Sequence, residues 1–327
     1  MNDIDITLAD RRKPWDVASW SAGQRRTSET FATADEMLAA AGLANLNVQK
    51  RKEFTTDHDN HSLPTGKYST VDSKGRVLGT GLSDRYQVIQ MEQAFGFGDA
   101  IVDDGQAKWE RAGTVRGGET AFGCMELSHL EVTVPGDDGG ALQPYLLIVN
   151  SFGGWTPYMG VIAFIRPVCI NTFEAAKGTK TKHRFQVRHT GTLDGKLQMA
   201  REALGIAFKH TEDVKELTTK LATTKLTERQ VRAIIDQTWP KESKVAEDPR
   251  SPTAVKVWDH YQASSTLEGI RGTGWGVFNA VTEYIDHIAY QSDKPMTEKQ
   301  LQQRGLNLIL ETGEARKERA LSLLLAR

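Results

Sequence analysis

The sequence predicts an α+β fold, with an antiparallel sheet core, packed helices and a helical C-terminal third. Three observations predict it. Up to about residue 190 the chain reads mainly as short β-prone runs broken by Gly, Asp and Ser turns, without the regular strand–helix alternation of a doubly wound sheet. From about Thr192 the apolar residues recur at helical spacing. With 327 residues, 39% hydrophobic and 25% charged, the chain can bury a core. Three regions follow: an N-terminal arm and short helix over 1–60, an α+β core with a basic strip over 61–225, and a helical region over 226–327.

Residues 1 to about 30 are polar, and carry Trp15 and Trp20 in charged text. They read as an arm that docks on its own core or on a neighbouring subunit. "TADEMLAAAGLANLNV" is a short helix, with Thr33 as N-cap, Glu36 completing a capping box and Gly42 as the stop. "KYSTVDSKGRVLGTGL" is a hairpin around Ser-Lys-Gly, and Tyr86 to Ile89 is a further short strand. "MEQAFGFGDAIVDD" is read as one helix despite its two glycines. "KWERAGTVRGG" and "ETAFGCMELSHLEVTVPG" are strands; "DDGG" at 137–140 is a hairpin turn that "QPYLLIVNSF" leaves. "VIAFIRPVCINTF" is strand text, with β-prone Val161, Ile162, Ile165, Val168 and Ile170.

In the helical part, Leu193, Leu197, Ala200, Leu204 and Ala207 form one stripe. "TERQVRAIIDQTW" is a helix with Thr227 as N-cap and Pro240 beyond its end. "KESKVAEDPRSP" is a polar linker. "TGWGVFNAVTEYIDHIAY" and "TEKQLQQRGLNLILETGEARKERALSLLLAR" are helical.

The first residues hold no apolar signal segment and no run is long enough to span a membrane, so a cytoplasmic location is expected. Cys124 and Cys169 read as free, buried thiols. "GRVLGTG" and "RGGETAFG" do not fit a phosphate loop and read as turns. Among the eight histidines there is no HExxH; "DHDNH" places His58, Asp59 and His61 together without a further ligand. At 284–287, Asp286 and His287 face apart, while Tyr284 and His287 make a core contact or helix–helix hydrogen bond. No catalytic residue, cofactor or metal is assigned.

Net charge is −1, yet residues 166–190 carry Arg166, Lys177, Lys180, Lys182, Arg184 and Arg188 against a single acid, Glu174. On a strand, Arg184, Gln186 and Arg188 share one face; His183, Phe185, Val187 and His189 share the other. Such a strip either grips phosphates, with Trp155, Tyr158 and Phe173 near to stack unpaired bases, or forms a solvated hairpin rim. "NSFGGWTPYMG" is correspondingly a mobile lid, a base-stacking loop, or a long hairpin whose Trp155 and Tyr158 fold back on the core.

"YQVIQMEQAFGF", "YLLIVNSFGG", "RPVCINTFEAA", "VRHTG" and "GTGWGVFNAVTEYIDH" resemble the phage/plasmid-like protein family, a domain of unknown function found in phages, plasmids and actinobacteria, over roughly residues 60–325. Where that family more often reads Asn-Ser-His-Asp-Gly, this chain has Phe152 and Gly153, which removes an ionisable pair. The α+β order is more distantly similar to phage single-strand annealing proteins of the Redβ, RecT and Erf kind. The resemblance implies an ATP-independent, oligomeric single-stranded DNA-binding and annealing protein acting in homologous recombination. It would form a ring or filament, with a single-strand-binding protein or exonuclease as a further partner. On this expectation Arg166, Lys177, Lys180, Lys182, Arg184 and Arg188 grip phosphates, and Trp155 and Tyr158 stack bases. The rival expectations are an RNA-binding or replication-accessory protein, a metal-dependent nuclease using Asp57, Asp59 and Asp84, and an interaction protein that binds no nucleic acid.

Overall fold

The computed structural model describes residues 30–103, 105, 107–166, 171–173, 184–189, 196–241, 251–289 and 315–327. The arm with Trp15 and Trp20, and Lys177, Lys180, Lys182, His183, Cys169, Val168, Ile170 and Leu193, lie outside the described residues. The described residues form two antiparallel sheets and eight α-helices, with helices making up the C-terminal part, an α+β architecture.

The chain enters through α1 (Ala34–Ala40). Thr33 caps it, its hydroxyl accepting from the Glu36 N–H at 3.2 Å. The Glu36 carboxylate reaches past the cap residue to the Ala32 N–H, so the expected box closes one residue early. At the far end Gly42 takes a left-handed φ of +69°, and the Leu43 N–H returns to the Leu38 carbonyl, as a Schellman stop requires. Strands β1 (Gln49–Thr56), β2 (Ser62–Val71) and β3 (Val77–Leu82) make the small sheet, in that order. The β2–β3 turn is held by Asp72, whose carboxylate accepts from the Lys74 and Arg76 N–H groups and pairs with the Arg76 guanidinium.

Tyr86–Ile89 is not a strand. Its backbone is satisfied singly: the Gln87 N–H donates to the His189 carbonyl, and Lys50 Nζ binds the Tyr86 carbonyl. The expected helix after it divides into α2 (Met91–Phe95) and α3 (Asp99–Asp103). Gly98 lies at the break, where a Cβ would come within 2.4 Å of the Trp109 ring. Asp99 then accepts both the Ala34 N–H and the Trp109 indole N–H, tying α1 to the large sheet.

The large sheet runs β4 (Lys108–Val115), β5 (Thr120–Glu126), β6 (Gln143–Ser151), β7 (Tyr158–Arg166), β8 (Asn171–Phe173), with β9 (Arg184–Val187) also on the free edge of β7. The single strand expected over 161–173 therefore doubles back. β7 ends at Arg166, before Pro167, which has no N–H for the ladder, and β8 returns antiparallel with Arg166 opposite Asn171. The sheet is apolar on both faces. One carries buried Leu146, Ile148, Tyr158, Ile162 and Phe164 in the main core; the other carries Phe122, Leu147, Val149, Met159, Val161 and the buried Cys124.

Helix α4 (Lys196–Thr223) packs on β7 and β9, with Ala203, Ala207, His210, Val214 and Leu217 buried and the His210 ring 5.6 Å from that of Phe164; Leu204 of the expected stripe is only half buried, and Ala203, one position earlier, is buried instead. α5 (Glu228–Thr238) starts in the expected capping box of Thr227 with Gln230. α6 (Pro252–Ala263), the wholly buried α7 (Gly274–Glu283) and α8 (Ala315–Leu325) complete the layer. Beyond α7 the backbone widens to π spacing over Tyr284–Ile288. There Tyr284 packs edge-on to Trp239, and buried Asp286 pairs with buried Lys317 of α8 at 2.7 Å. No helix of the described residues is long and apolar enough to cross a membrane.

Arg166, expected to grip phosphate, is instead a core residue. It is 2% exposed, binds Asp137 through Nε and Nη2, and donates to the Thr266 carbonyl. Its Asp137 partner also accepts the Trp275 indole N–H at 2.7 Å. Asp137→Ala should cost about 3–5 kcal/mol, because it leaves a buried guanidinium without its counter-charge. Asp137→Ala with Arg166→Met should recover much of that loss. Denaturant unfolding of both variants checks this.

Candidate functional site

The site begins with the alternation along β9. Arg184 and Gln186 face solvent, as does Arg188 just beyond the strand, whereas Phe185 and Val187 are half buried and His189 is buried. The inward side is fixed by aromatic packing. Phe185 meets Phe97 and Tyr158 edge-on, with centroids 5.9 and 6.2 Å away. It lies over Gly160, where a Cβ would come within 2.2 Å of the ring. His189 stacks on Tyr86 at 5.0 Å.

The β6–β7 connection supplies the facing wall. Phe152 is fully buried; its N–H donates to the Glu119 carbonyl and its carbonyl accepts the Thr70 hydroxyl. Gly154, at φ +73°, turns the chain outward, and Trp155 emerges with 75% of its surface exposed. Tyr158, expected to stack bases, does the opposite. It is buried, its hydroxyl donates to the Ala94 carbonyl, and burial pushes its pKa far above the usual phenol value. The two aromatics of this loop therefore separate, Tyr158 into the core and Trp155 into solvent.

An open groove of about 320 Å³ lies between these walls, lined by Trp155, Thr156, Pro157, Met159, Arg184, Gln186 and Arg116. Of the residues expected in the site, the structure thus brings Trp155 and Arg184 together. It leaves Arg188 exposed on the same strip and removes Arg166 and Tyr158 to the core. Arg116 is an addition. It sits in the β4–β5 turn at φ +53°, followed by Gly117 and Gly118, both also at positive φ. An arginine held left-handed is uncommon, and such strain gathers at functional sites. The "RGG" triplet was the available sequence signal, and it read only as a turn.

Behind the groove, the same end of the sheet collects buried polar atoms without a hydrogen-bond partner among the described residues: Glu119 Oε1, Thr120 Oγ1, Asn150 Oδ1 and Ser151 Oγ. Native structures keep such atoms few. The His189 ring nitrogens also lack a well-formed bond; burial lowers the His189 pKa, opposed by the nearby backbone of Gln87 and Thr156. Glu119 Oε1 abuts Gly153, where a Cβ would come within 2.2 Å of it. Burial raises the Glu119 pKa, and the neighbouring Arg116 charge opposes that rise.

The acid-rich tip of the β1–β2 hairpin is a separate feature. Ligand atoms of Asp57, Asp59 and His61 lie within 4.8 Å of one another. Asp57 is already engaged within the turn, accepting from the Asp59 and His61 N–H groups and from the His61 ring. Hydrogen bonds led by the His61 N–H hold its carboxyl below the usual range. Asp84 does not join this cluster. Its carbonyl binds Lys50, seven residues along β1 from Asp57 and so on the order of 20 Å from the tip.

A family model described as "Domain of unknown function (DUF932)" matches residues 80–319, which include the whole large sheet, the groove and most of the helical layer. No curated protein and no solved structure matches the chain.

The raised Glu119 pKa gives a pH test. A carboxyl whose folded pKa exceeds its unfolded value contributes stability below the unfolded value and loses it as pH rises through the folded one. Glu119→Gln should therefore raise Tm at pH 8, and the difference should vanish near pH 4. Thermal unfolding across that range checks the sign.

Proposed function

The chain belongs to the DUF932 family, and from the geometry of its groove we propose that it binds single-stranded DNA. One observation carries this reading: a largely exposed Trp155 ring stands in an open groove beside the Arg116 and Arg184 side chains. An exposed indole is costly to keep in water, and its flat face matches an unpaired base, worth about 1–3 kcal/mol per stack. Guanidinium groups beside it neutralise the phosphates that accompany that base. A duplex hides its base faces, so the combination favours single strands.

The finer proposal is a strand-annealing protein of a phage or mobile element, acting in homologous recombination as an ATP-independent oligomer. Its support is a likeness of α+β order to that group, and an open groove suits it, because a base held on one face keeps its pairing edge accessible. Its partners would be single-stranded DNA, further copies of the chain, and a single-strand-binding protein or exonuclease. The nuclease alternative loses ground, since Asp84 stands apart from Asp57 and Asp59 and the Asp57 carboxylate is spent within its turn.

Fluorescence anisotropy of a labelled single-stranded oligonucleotide, titrated over a salt series with EDTA present, tests the reading. Affinity should fall steeply with salt, without cleavage. Arg184→Ala with Arg188→Ala should flatten the salt slope by up to about 0.7 per lost phosphate contact. Trp155→Ala should weaken binding by about 1–3 kcal/mol with little change in slope. No binding at low salt would remove the nucleic-acid reading altogether.

A further inference from the structure

The groove holds one polar residue that charge neutralisation does not explain. On β9, Gln186 lies between Arg184 and Arg188 on the outward face, about 6.6 Å along the strand from each. It lines the groove together with Trp155, and its side-chain amide has no partner among the described residues. A neutral amide adds nothing to phosphate attraction. It does present an acceptor and a donor side by side, in the groove that Trp155 also lines.

We propose that Gln186 reads that edge and makes the groove prefer adenine. The inference rests on the single-strand reading above and adds base selectivity to it. Three arguments point to adenine. A glutamine amide pairs in bidentate fashion with the adenine 6-amino group and N7. On that same edge guanine presents two acceptors, O6 and N7, one of which would face the amide oxygen. Pyrimidines lack an N7 edge and offer a smaller face to the indole. At about 320 Å³ the groove is at the small end of ligand sites, suited to one stacked base and its phosphate. The expected division of roles is that Arg116 and Arg184 set strength, Trp155 selects unpaired bases, and Gln186 selects among them.

The experiment measures the affinity of the full chain for oligo-dA, oligo-dC and oligo-dT of equal length at one salt concentration. The expected result is tighter binding of oligo-dA by about fivefold or more, the lower end for a bidentate base contact. Gln186→Ala should equalise the three without altering the salt slope. Gln186→Glu, which keeps an acceptor and loses the donor, should move the ratio from adenine towards cytosine, whose amino group a carboxylate accepts. Because Gln186 is exposed, these variants should unfold at the wild-type temperature, and that is checked alongside. Tight binding with equal affinity for all three oligonucleotides would overturn this inference and leave the single-strand reading standing. A preference that survives Gln186→Ala would overturn it as well. Absence of binding to every oligonucleotide would sink both.

Discussion

The structure depends on one buried ion pair. Burial alone would raise the Asp137 carboxyl, but the hydrogen bonds and charge of Arg166, with the Trp275 indole and the Gly139 N–H, hold it below the usual range. Both side chains are almost fully removed from water, at 2% and 1% exposure. A pair this dry adds little net stability over an apolar substitute, but it tolerates few alternative arrangements. Its geometry locks three parts of the chain. Arg166 is the last residue of β7, Asp137 sits in the turn before β6, and Thr266 and Trp275 belong to the helical layer. The network continues inward, since the Thr266 hydroxyl donates to Glu283, which also binds His260. The sheet and the helices are therefore joined at one end of β7 by polar contacts of fixed direction. The groove is built at the other end.

That arrangement explains why the groove walls are well placed. β7 pairs with β6 on one side and with β9 on the other, so its Tyr158 end sets both walls at once. Tyr158 opposite Val187, and Gly160 opposite Phe185, bury the inward side of β9 against α4 and Phe97. With that side committed, the two-residue period leaves Arg184 and Gln186 no choice but the outward side. Trp155 is exposed by the same logic. Phe152 and Tyr158 anchor the connection at both ends, and the turn between them at Gly154 has no further core to reach.

Much of the fold was legible because its signals are local. The Thr33 and Thr227 caps, the Gly42 stop, the Asp72 turn and the alternation of residues 184–189 each act within a few positions of the residue that encodes them. What could not be read depends on distant partners. Arg166 looked like another cation of the basic strip, since its partner Asp137 is 29 residues earlier and the Trp275 that completes the site lies 138 residues beyond that. Tyr158 and Trp155 stand three residues apart in one Gly-rich stretch; only the start of β7 pairing at Tyr158 separates their fates. The helix expected across 91–104 broke because a tryptophan in β4 needs the space at Gly98. Arg116 was missed because its role comes from a backbone angle and not from its neighbours in sequence.

The near-neutral charge of the whole chain also takes on meaning here. At a net charge of −1 the protein as a whole offers a polyanion no general attraction. Any attraction must come from a few cations at short range, where screening by salt is felt least across the last few ångströms. Among the described residues, Arg116, Arg184 and Arg188 are such cations. On the proposed reading the exposed Trp155 face would add stacking to that attraction. The buried polar end of the sheet behind Trp155, with Glu119, Thr120 and Ser151, then keeps the groove wall hydrogen-bonded only in part. Phe152 and Tyr158 anchor the connection on either side of Trp155, over strands whose pairing holds it in register.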